Sequence, residues 1–329
     1  MGEYDDVCVV VPTYDEAETI GQVVEGFRGA GLESVLVVDG GSTDGTRRLA
    51  RESGARVVRQ SGTGKGQAVR EAIGLVEAPY ILMADGDATY RPEDADRMLQ
   101  PLLDGEADHV IGDRFADMRP GAMSRLNRVG NRLINRAFRT IHGRDLGDIL
   151  SGYRAFTRES AERFLLTADG FGIETEMAVE CVKQGVETAV VPITYESRPD
   201  ASETNLHPFR DGAIIMLTLY QMAKTNNPMF YFGSIGLLSA LTGVGLAAWV
   251  AVEWVTRGIS HEVIAVVAGV AVLFGIQLIM FGVLSDLIVS LNREQTRRFE
   301  RLAKRHTGSD GVSGSEGAVE DDETTLGEQ

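Results

Sequence analysis

Two cysteines in 329 residues exclude a disulfide framework, and Cys8 and Cys181 lie too far apart to suggest a paired zinc site. Cys8, inside "VCVVVP", reads as a small core residue. Histidine is nearly as scarce. His109, His142, His207, His261 and His306 are the full set, and none falls in a pattern that suggests a Ser-His-Asp or Cys-His nucleophile. Positive charge is also short: 32 Lys and Arg face 48 Asp and Glu, for a net charge of −16. Such a chain lacks the basic surface needed to displace counterions from a polyanion, so nucleic acid is excluded as a partner. The same balance suits a high-salt cytoplasm, where screening weakens self-repulsion. The start, "MGEYDD", has neither a basic region nor an apolar stretch long enough for a secretory signal, which predicts a catalytic part that remains cytoplasmic.

Strand-like runs are abundant. "VCVVVP", "SVLVVD", "ARVVRQ", "PYILMAD" and "DHVIGDR" alternate with amphipathic stretches near 17–29, 43–53, 66–76 and 92–103. Continuous apolar strands separated by helices predict an α/β fold, with a mostly parallel sheet covered on both faces. In such doubly wound sheets, ligands bind outside the carboxyl ends of the strands. The polar residues gather there: "PTYDE" after the first strand, "DGGSTD" after the second and "DGD" after the fourth.

Asp85 and Asp87 stand two apart at the end of an apolar strand. Paired carboxylates repel unless something positive compensates them. A hard divalent cation does so, and Mg²⁺ or Mn²⁺ commonly bridges one or two carboxylates to substrate phosphates. Asp-Gly-Asp also makes tight turns, so the motif alone leaves both readings open. Asp39, after the second strand, suits hydrogen bonds to a ribose or a base edge, and Asp44 suits a helix cap. "SGTGKGQA" has the look of a phosphate-cradling loop. It departs from the P-loop pattern twice, with Arg59 at the first glycine position and Gly66 where Ser or Thr belongs.

"VVPTYDEAETI", "VVDGGSTDGT", "GKGQAVREAI", "MADGDATYRPED", "GDRF" and "SGYRAF" occur here in an order that resembles the family-two glycosyltransferases of GT-A fold. The nearest branch is the dolichyl-phosphate mannose or glucose synthases, including those of archaeal N-glycosylation. The resemblance covers 7–206. It implies that Pro12, Tyr14 and Glu16 line the nucleotide pocket, that Asp39 contacts the nucleoside and that Asp85 serves the nucleotide or metal region. Asp87 would ligate Mg²⁺ or Mn²⁺ directly, and Thr89, where the family often has Gln, would offer a shorter oxygen ligand. Arg114 of "GDRF" would face the phosphates, and Arg128 of "LNRVGNRL" the acceptor phosphate at the membrane surface. In "RPDASETNL", Arg198 and Ser202 match the family's loop, while Asn205 falls where Lys is expected.

The resemblance further implies an inverting transfer of a hexose from a nucleotide sugar to dolichyl phosphate. UDP-glucose is the favoured donor and GDP-mannose the alternative. A processive synthase is disfavoured, because no QxxRW-type motif follows Glu176. A catalytically inactive, membrane-tethered scaffold is the rival from another class.

Two apolar runs, 229–255 and 263–291, each exceed the ~20 residues needed to cross a bilayer. Lys224 precedes the first, and the second is followed by Arg293, Arg297, Arg298, Arg301, Lys304 and Arg305, whereas the connector offers only Arg257. This bias predicts a multi-pass protein with both flanks in the cytoplasm. The expected organisation is a glycosyltransferase domain over 1–205, an interfacial or core helix over 206–227, two membrane helices over 228–292, and a basic segment with an acidic, disordered tail over 293–329.

Overall fold

In the computed structural model the described residues are 4–170, 172–199 and 208–309. Ser202, Asn205 and the acidic tail lie outside them. The chain divides into two compact units, Met1–Asn227 and Pro228–Gln329.

The first unit is built on a seven-stranded sheet of β1 (Val7–Thr13), β2 (Val35–Asp39), β3 (Arg56–Arg59), β4 (Tyr80–Met83), β5 (His109–Met118), β6 (Arg154–Thr157) and β7 (Thr188–Tyr195). Their order across the sheet is 3-2-1-4-6-5-7. Its helices are α1 (Ile20–Gly29), α2 (Thr46–Glu52), α3 (Lys65–Leu75), α4 (Ala95–Leu103), α5 (Arg125–His142), α6 (Arg158–Glu162), α7 (Ile173–Gln184) and α8 (Pro208–Asn226). β1 and β2 are buried along their whole length, as their unbroken apolar runs require. α1 covers one face of the sheet by burying Ile20, Val23, Val24 and Phe27, a stripe at helical spacing.

The chain winds outward from β1 through β2 to β3, then returns to place β4 on the other side of β1, all in parallel. In doubly wound sheets ligands bind at such a reversal, outside the carboxyl ends of the strands, and the ends of β1, β2 and β4 are where this sequence puts its carboxylates. β6 breaks the pattern by running antiparallel to both β4 and β5, and β7 closes the sheet parallel to β5. Sequence periodicity does not reveal β6. It is four residues long and begins with an arginine, Arg154, that is fully buried.

Arg154 is accommodated by carbonyl oxygens. Its Nε donates to Ser151 O at 3.0 Å and its Nη2 to Ile149 O at 2.7 Å, while Nη1 meets His109 Nε2 at 3.1 Å. Burial, reinforced by the Arg154 charge, pushes the His109 pKa well below its ordinary value. His109 therefore stays neutral when folded but takes a proton near pH 6.5 when unfolded. Its contribution to stability is complete above about pH 6.5 and is lost on acidification, at about 1.4 kcal/mol per pH unit, until the depressed folded value is reached. Urea unfolding of the detergent-solubilised chain between pH 7.5 and 5 should show this slope. His109→Gln, which keeps an acceptor for Arg154, should flatten it.

α8 buries one stripe of its surface. Ile215, Leu219 and Ala223, spaced four apart, are buried, and the helix packs against α5 and α7. Ile214 and Leu217 on the same helix remain exposed.

The second unit consists of α9 (Pro228–Arg257) and α10 (Glu262–Ser309) packed against each other. Pro228–Arg257 and Glu262–Leu291 are each long and apolar enough to cross a membrane, with mean hydropathies of 2.0 and 2.7. Small residues let the two backbones approach. A Cβ on Gly236 would lie 2.6 Å from Gly275 O, and one on Gly243 2.6 Å from Ala268 O. Ser239 Oγ adds an interhelical hydrogen bond to Ala271 O at 2.9 Å.

Candidate active site

β1 and β2 end side by side, with Thr13 in register with Asp39, and the loops that follow them are laced together. Asp15 N donates to Ser42 Oγ at 2.9 Å, Glu16 N to Thr46 Oγ1 at 2.9 Å, and Thr43 N to Asp15 Oδ1 at 2.8 Å. Asp15 adopts a positive φ of 52° to make this exchange. Asp44 accepts from Thr46 N at 3.0 Å and Ala17 N at 2.9 Å, so it ties the turn ahead of α1 to the first residue of α2. These bonds outweigh its desolvation and lower its pKa.

Pro12 is buried within β1, while Tyr14 is exposed at the rim and packs beside Gly40. Glu16 is half-buried. Asp39 closes β2. It is fully buried, accepts from Gly41 N at 3.0 Å and Ser42 N at 3.1 Å, and pairs with Arg47 Nε at 3.3 Å. In this arrangement its carboxylate shapes the glycine loop around it.

β4 delivers the aspartate pair. Thr19 Oγ1, at the start of α1, donates to Gly86 O at 2.6 Å and pins the turn between the two aspartates. Ala88 follows with φ 57°, a conformation that curls the chain so that Thr89 reaches back. Thr89 donates to Asp87 Oδ1 through its backbone N at 3.1 Å and its Oγ1 at 2.6 Å. Thr89 thus braces Asp87. Asp87 is buried, and its second oxygen, Oδ2, faces Arg198 Nη2 at 2.5 Å. Desolvation alone would lower the Arg198 pKa. Asp87, with Glu16, Tyr195 and Asp85 behind it, reverses this and raises it.

Asp85 takes a different partner. Lys65 Nζ, at the start of α3, pairs with Asp85 Oδ1 and, at 2.5 Å, with Glu174 Oε1 in the first turn of α7. Burial opposes the lysine's charge, but the two carboxylates overcome it and raise its pKa. Gly152 makes room for the cluster, since a Cβ there would lie 2.6 Å from Asp85 Oδ2. The glycine loop around Lys65 is not a phosphate cradle. Its Gly66 N donates to Asp169 O at 2.9 Å, and Gly64 and Gly66 pack on the carbonyls of Asp169 and Ala168.

Arg114 is buried, donating to Asp148 through Nε at 2.5 Å and Nη2 at 2.9 Å, with its guanidinium 5.4 Å from the Tyr195 ring centre. Tyr90 stacks between Tyr153 and Tyr195, with centroid distances of 5.1 and 5.6 Å. Arg128 projects from α5, its Nη2 3.2 Å from Met118 Sδ, and its buried Nε has no partner among the described residues. The site thus brings together Asp85, Asp87, Thr89, Glu16 and Arg198. Sequence reasoning missed Lys65, Glu174 and Asp148. Only Lys65 carried a local signal, a cation inside a glycine-rich loop at a helix start.

No set of three or more His, Cys, Asp or Glu able to hold a metal occurs among the described residues. Two hard carboxylates at one turn are nevertheless the donor set an oxygen-loving divalent cation uses when a diphosphate supplies the rest. Each already faces a positive charge from outside the turn, Asp85 that of Lys65 and Asp87 that of Arg198, the more exposed of the two cations.

The sheet order and strand-end crevice define a GT-A, Rossmann-like domain. Residues 8–165 match Glycosyl transferase family 2, and the chain belongs to that family. It is 67% identical to glycosyltransferase AglJ of Haloferax volcanii over 91% of this chain and 98% of that one. It is 38% identical to a dolichyl-phosphate hexose transferase of the same organism, over 65% of this chain and 93% of that one. Both relatives come from an archaeal halophile, in keeping with the acidic composition. Among solved structures, glucosyl-3-phosphoglycerate synthase from Mycobacterium tuberculosis, in complex with Mn²⁺, UDP-glucose and phosphoglyceric acid, shares the fold. Its TM-score is 0.54 at 23% identity, covering 66% of this chain and 79% of that one.

Proposed function

We propose that this glycosyltransferase moves a hexose from a nucleotide sugar to dolichyl phosphate with inversion, using UDP-glucose as donor and leaving GDP-mannose as the alternative. The observation that carries the reading is Asp87: buried, fixed on one oxygen by Thr89 and paired on the other with a cation. The dolichyl-phosphate hexose transferase among the relatives supports the acceptor. UDP-glucose and Mn²⁺, bound by the mycobacterial synthase, support the donor and the metal.

A dolichyl phosphate oxygen is already anionic at neutral pH, because a phosphate monoester's second pKa is about 6. No strong general base is required, and the residues' task is to hold two anions in line. Asp87 would hold Mg²⁺ or Mn²⁺, with Asp85 beside it kept in place by Lys65. When bound, the metal would act as a Lewis acid on the departing diphosphate. Arg198, beside Asp87, would meet the diphosphate, and Arg128, whose Nε has no partner among the described residues, would meet the acceptor phosphate. Tyr14 and Glu16 would border the nucleotide. A single displacement at the anomeric carbon gives inversion.

Membrane lipid enters as the second partner. α9 and α10 would span the bilayer, with the basic residues after 292 holding both flanks on the cytoplasmic side. α5 exposes Leu126, Val129 and Leu133 beside Arg125, Arg132 and Arg136 and carries no acidic residue, a composition suited to an anionic lipid surface.

The test is direct. Purified protein in detergent, given dolichyl phosphate and Mn²⁺ or Mg²⁺, should convert one labelled donor, UDP-glucose, into labelled dolichyl-phosphate-hexose. EDTA should abolish the product and added metal should restore it. Labelling from GDP-mannose instead would select the alternative donor, and no labelled lipid under any combination would reject the reading.

A further inference from the structure

Both carboxylate oxygens of Asp87 are engaged. Thr89 occupies Oδ1 with two hydrogen bonds, and Oδ2 is taken by Arg198. Arg198 is one-third exposed, whereas Asp87 is buried. Its backbone is nonetheless tied to the aspartate turn. Glu196 N donates to Thr89 O at 2.9 Å, Tyr195 bridges to Tyr90, and the Glu196 carboxylate is held by Arg91. The segment that carries Arg198 is therefore zipped to the segment that carries Asp87, and the arginine side chain adds an ion pair across the two.

We propose that Arg198 and the divalent cation exchange at Asp87: the guanidinium neutralises the buried carboxylate until the cation arrives, then turns to the diphosphate that the cation recruits. A cation and a guanidinium cannot share one carboxylate oxygen without strong repulsion. Displaced but still tethered within a few residues of the metal, the planar guanidinium is placed to donate two parallel bonds to a diphosphate. The exchange makes Arg198 a competitor of the free metal and an ally of the metal-bound substrate. An arginine serving only to hold the fold would be neither.

This inference rests on the reading of Asp87 as the metal carboxylate, and the experiment separates the two. Mn²⁺ binding to the full chain in detergent is followed by the EPR signal of the free ion, first alone and then with inorganic pyrophosphate as a base-independent mimic of the leaving group. Arg198→Gln, which keeps bulk and hydrogen-bonding capacity but no charge, should bind Mn²⁺ alone roughly tenfold or more tightly than the parent. With Mn²⁺ saturating, the same variant should bind pyrophosphate roughly tenfold more weakly. Arg198→Lys should lie near the parent in both measurements. Mn²⁺ affinity that is unchanged or weaker in Arg198→Gln overturns the exchange. Asp87→Asn decides the underlying reading: loss of Mn²⁺ binding upholds Asp87 as the metal carboxylate even if the exchange fails, and retained binding removes both.

Discussion

Asp87→Asn is expected to reduce hexose transfer by roughly a thousandfold or more while leaving the melting temperature nearly unchanged. The amide has the size of the carboxylate, and its oxygen can still accept from Thr89 N and Oγ1. The fold loses one ion pair, to a partly exposed arginine, and gains no cavity. The loss to the chemistry is larger, because a neutral amide holds a divalent cation poorly and the departing diphosphate then goes uncompensated. The comparison to make is initial rate at saturating donor and metal, beside thermal unfolding of both proteins. A rate within tenfold of the parent would remove Asp87 from the metal site.

Asp148→Ala should act on stability. Asp148 is fully buried and holds Arg114 with a two-bond pair, the guanidinium lying over the Tyr195 ring. Truncating the aspartate leaves a buried cation without its partner, a change that costs about 3–5 kcal/mol. In a domain of about 200 residues that lowers the melting temperature by roughly 6–20 °C. The double variant Arg114→Met/Asp148→Leu should recover most of the loss, since an apolar pair of similar volume replaces a buried ion pair at little cost. Its rate then decides the role of Arg114. If the arginine serves the phosphates, as the family resemblance implies, the stable double variant transfers hexose slowly. Full activity would confine Arg114 to holding the site's wall.

Much of the site's location was legible in the sequence, and most of its wiring was not. Asp85 and Asp87 announced themselves because an apolar strand breaks into carboxylates at the edge where such sheets bind ligands. Lys65 was visible only as part of a failed phosphate loop. Its real partners, Asp85 and Glu174, are brought to it by two other elements, the end of β4 and the first turn of α7. Asp39 stood out as a carboxylate after a strand, whereas the turn that folds back so that Gly41 and Ser42 donate to it was not legible.

Sequence alone determined the features that local pattern encodes. Apolar runs of strand length became β1, β2 and β4, and two apolar stretches of bilayer length became α9 and α10, because burial responds to the periodicity of neighbouring residues. Tertiary structure decided which charges meet: Arg198 with Asp87, Lys65 with Asp85 and Glu174, Arg114 with Asp148. Those partners stand 20 to more than 100 positions apart along the chain. No local spacing encodes them, since a carboxylate's partner is chosen by where the sheet returns the chain and by the desolvation that makes an unpaired charge there untenable.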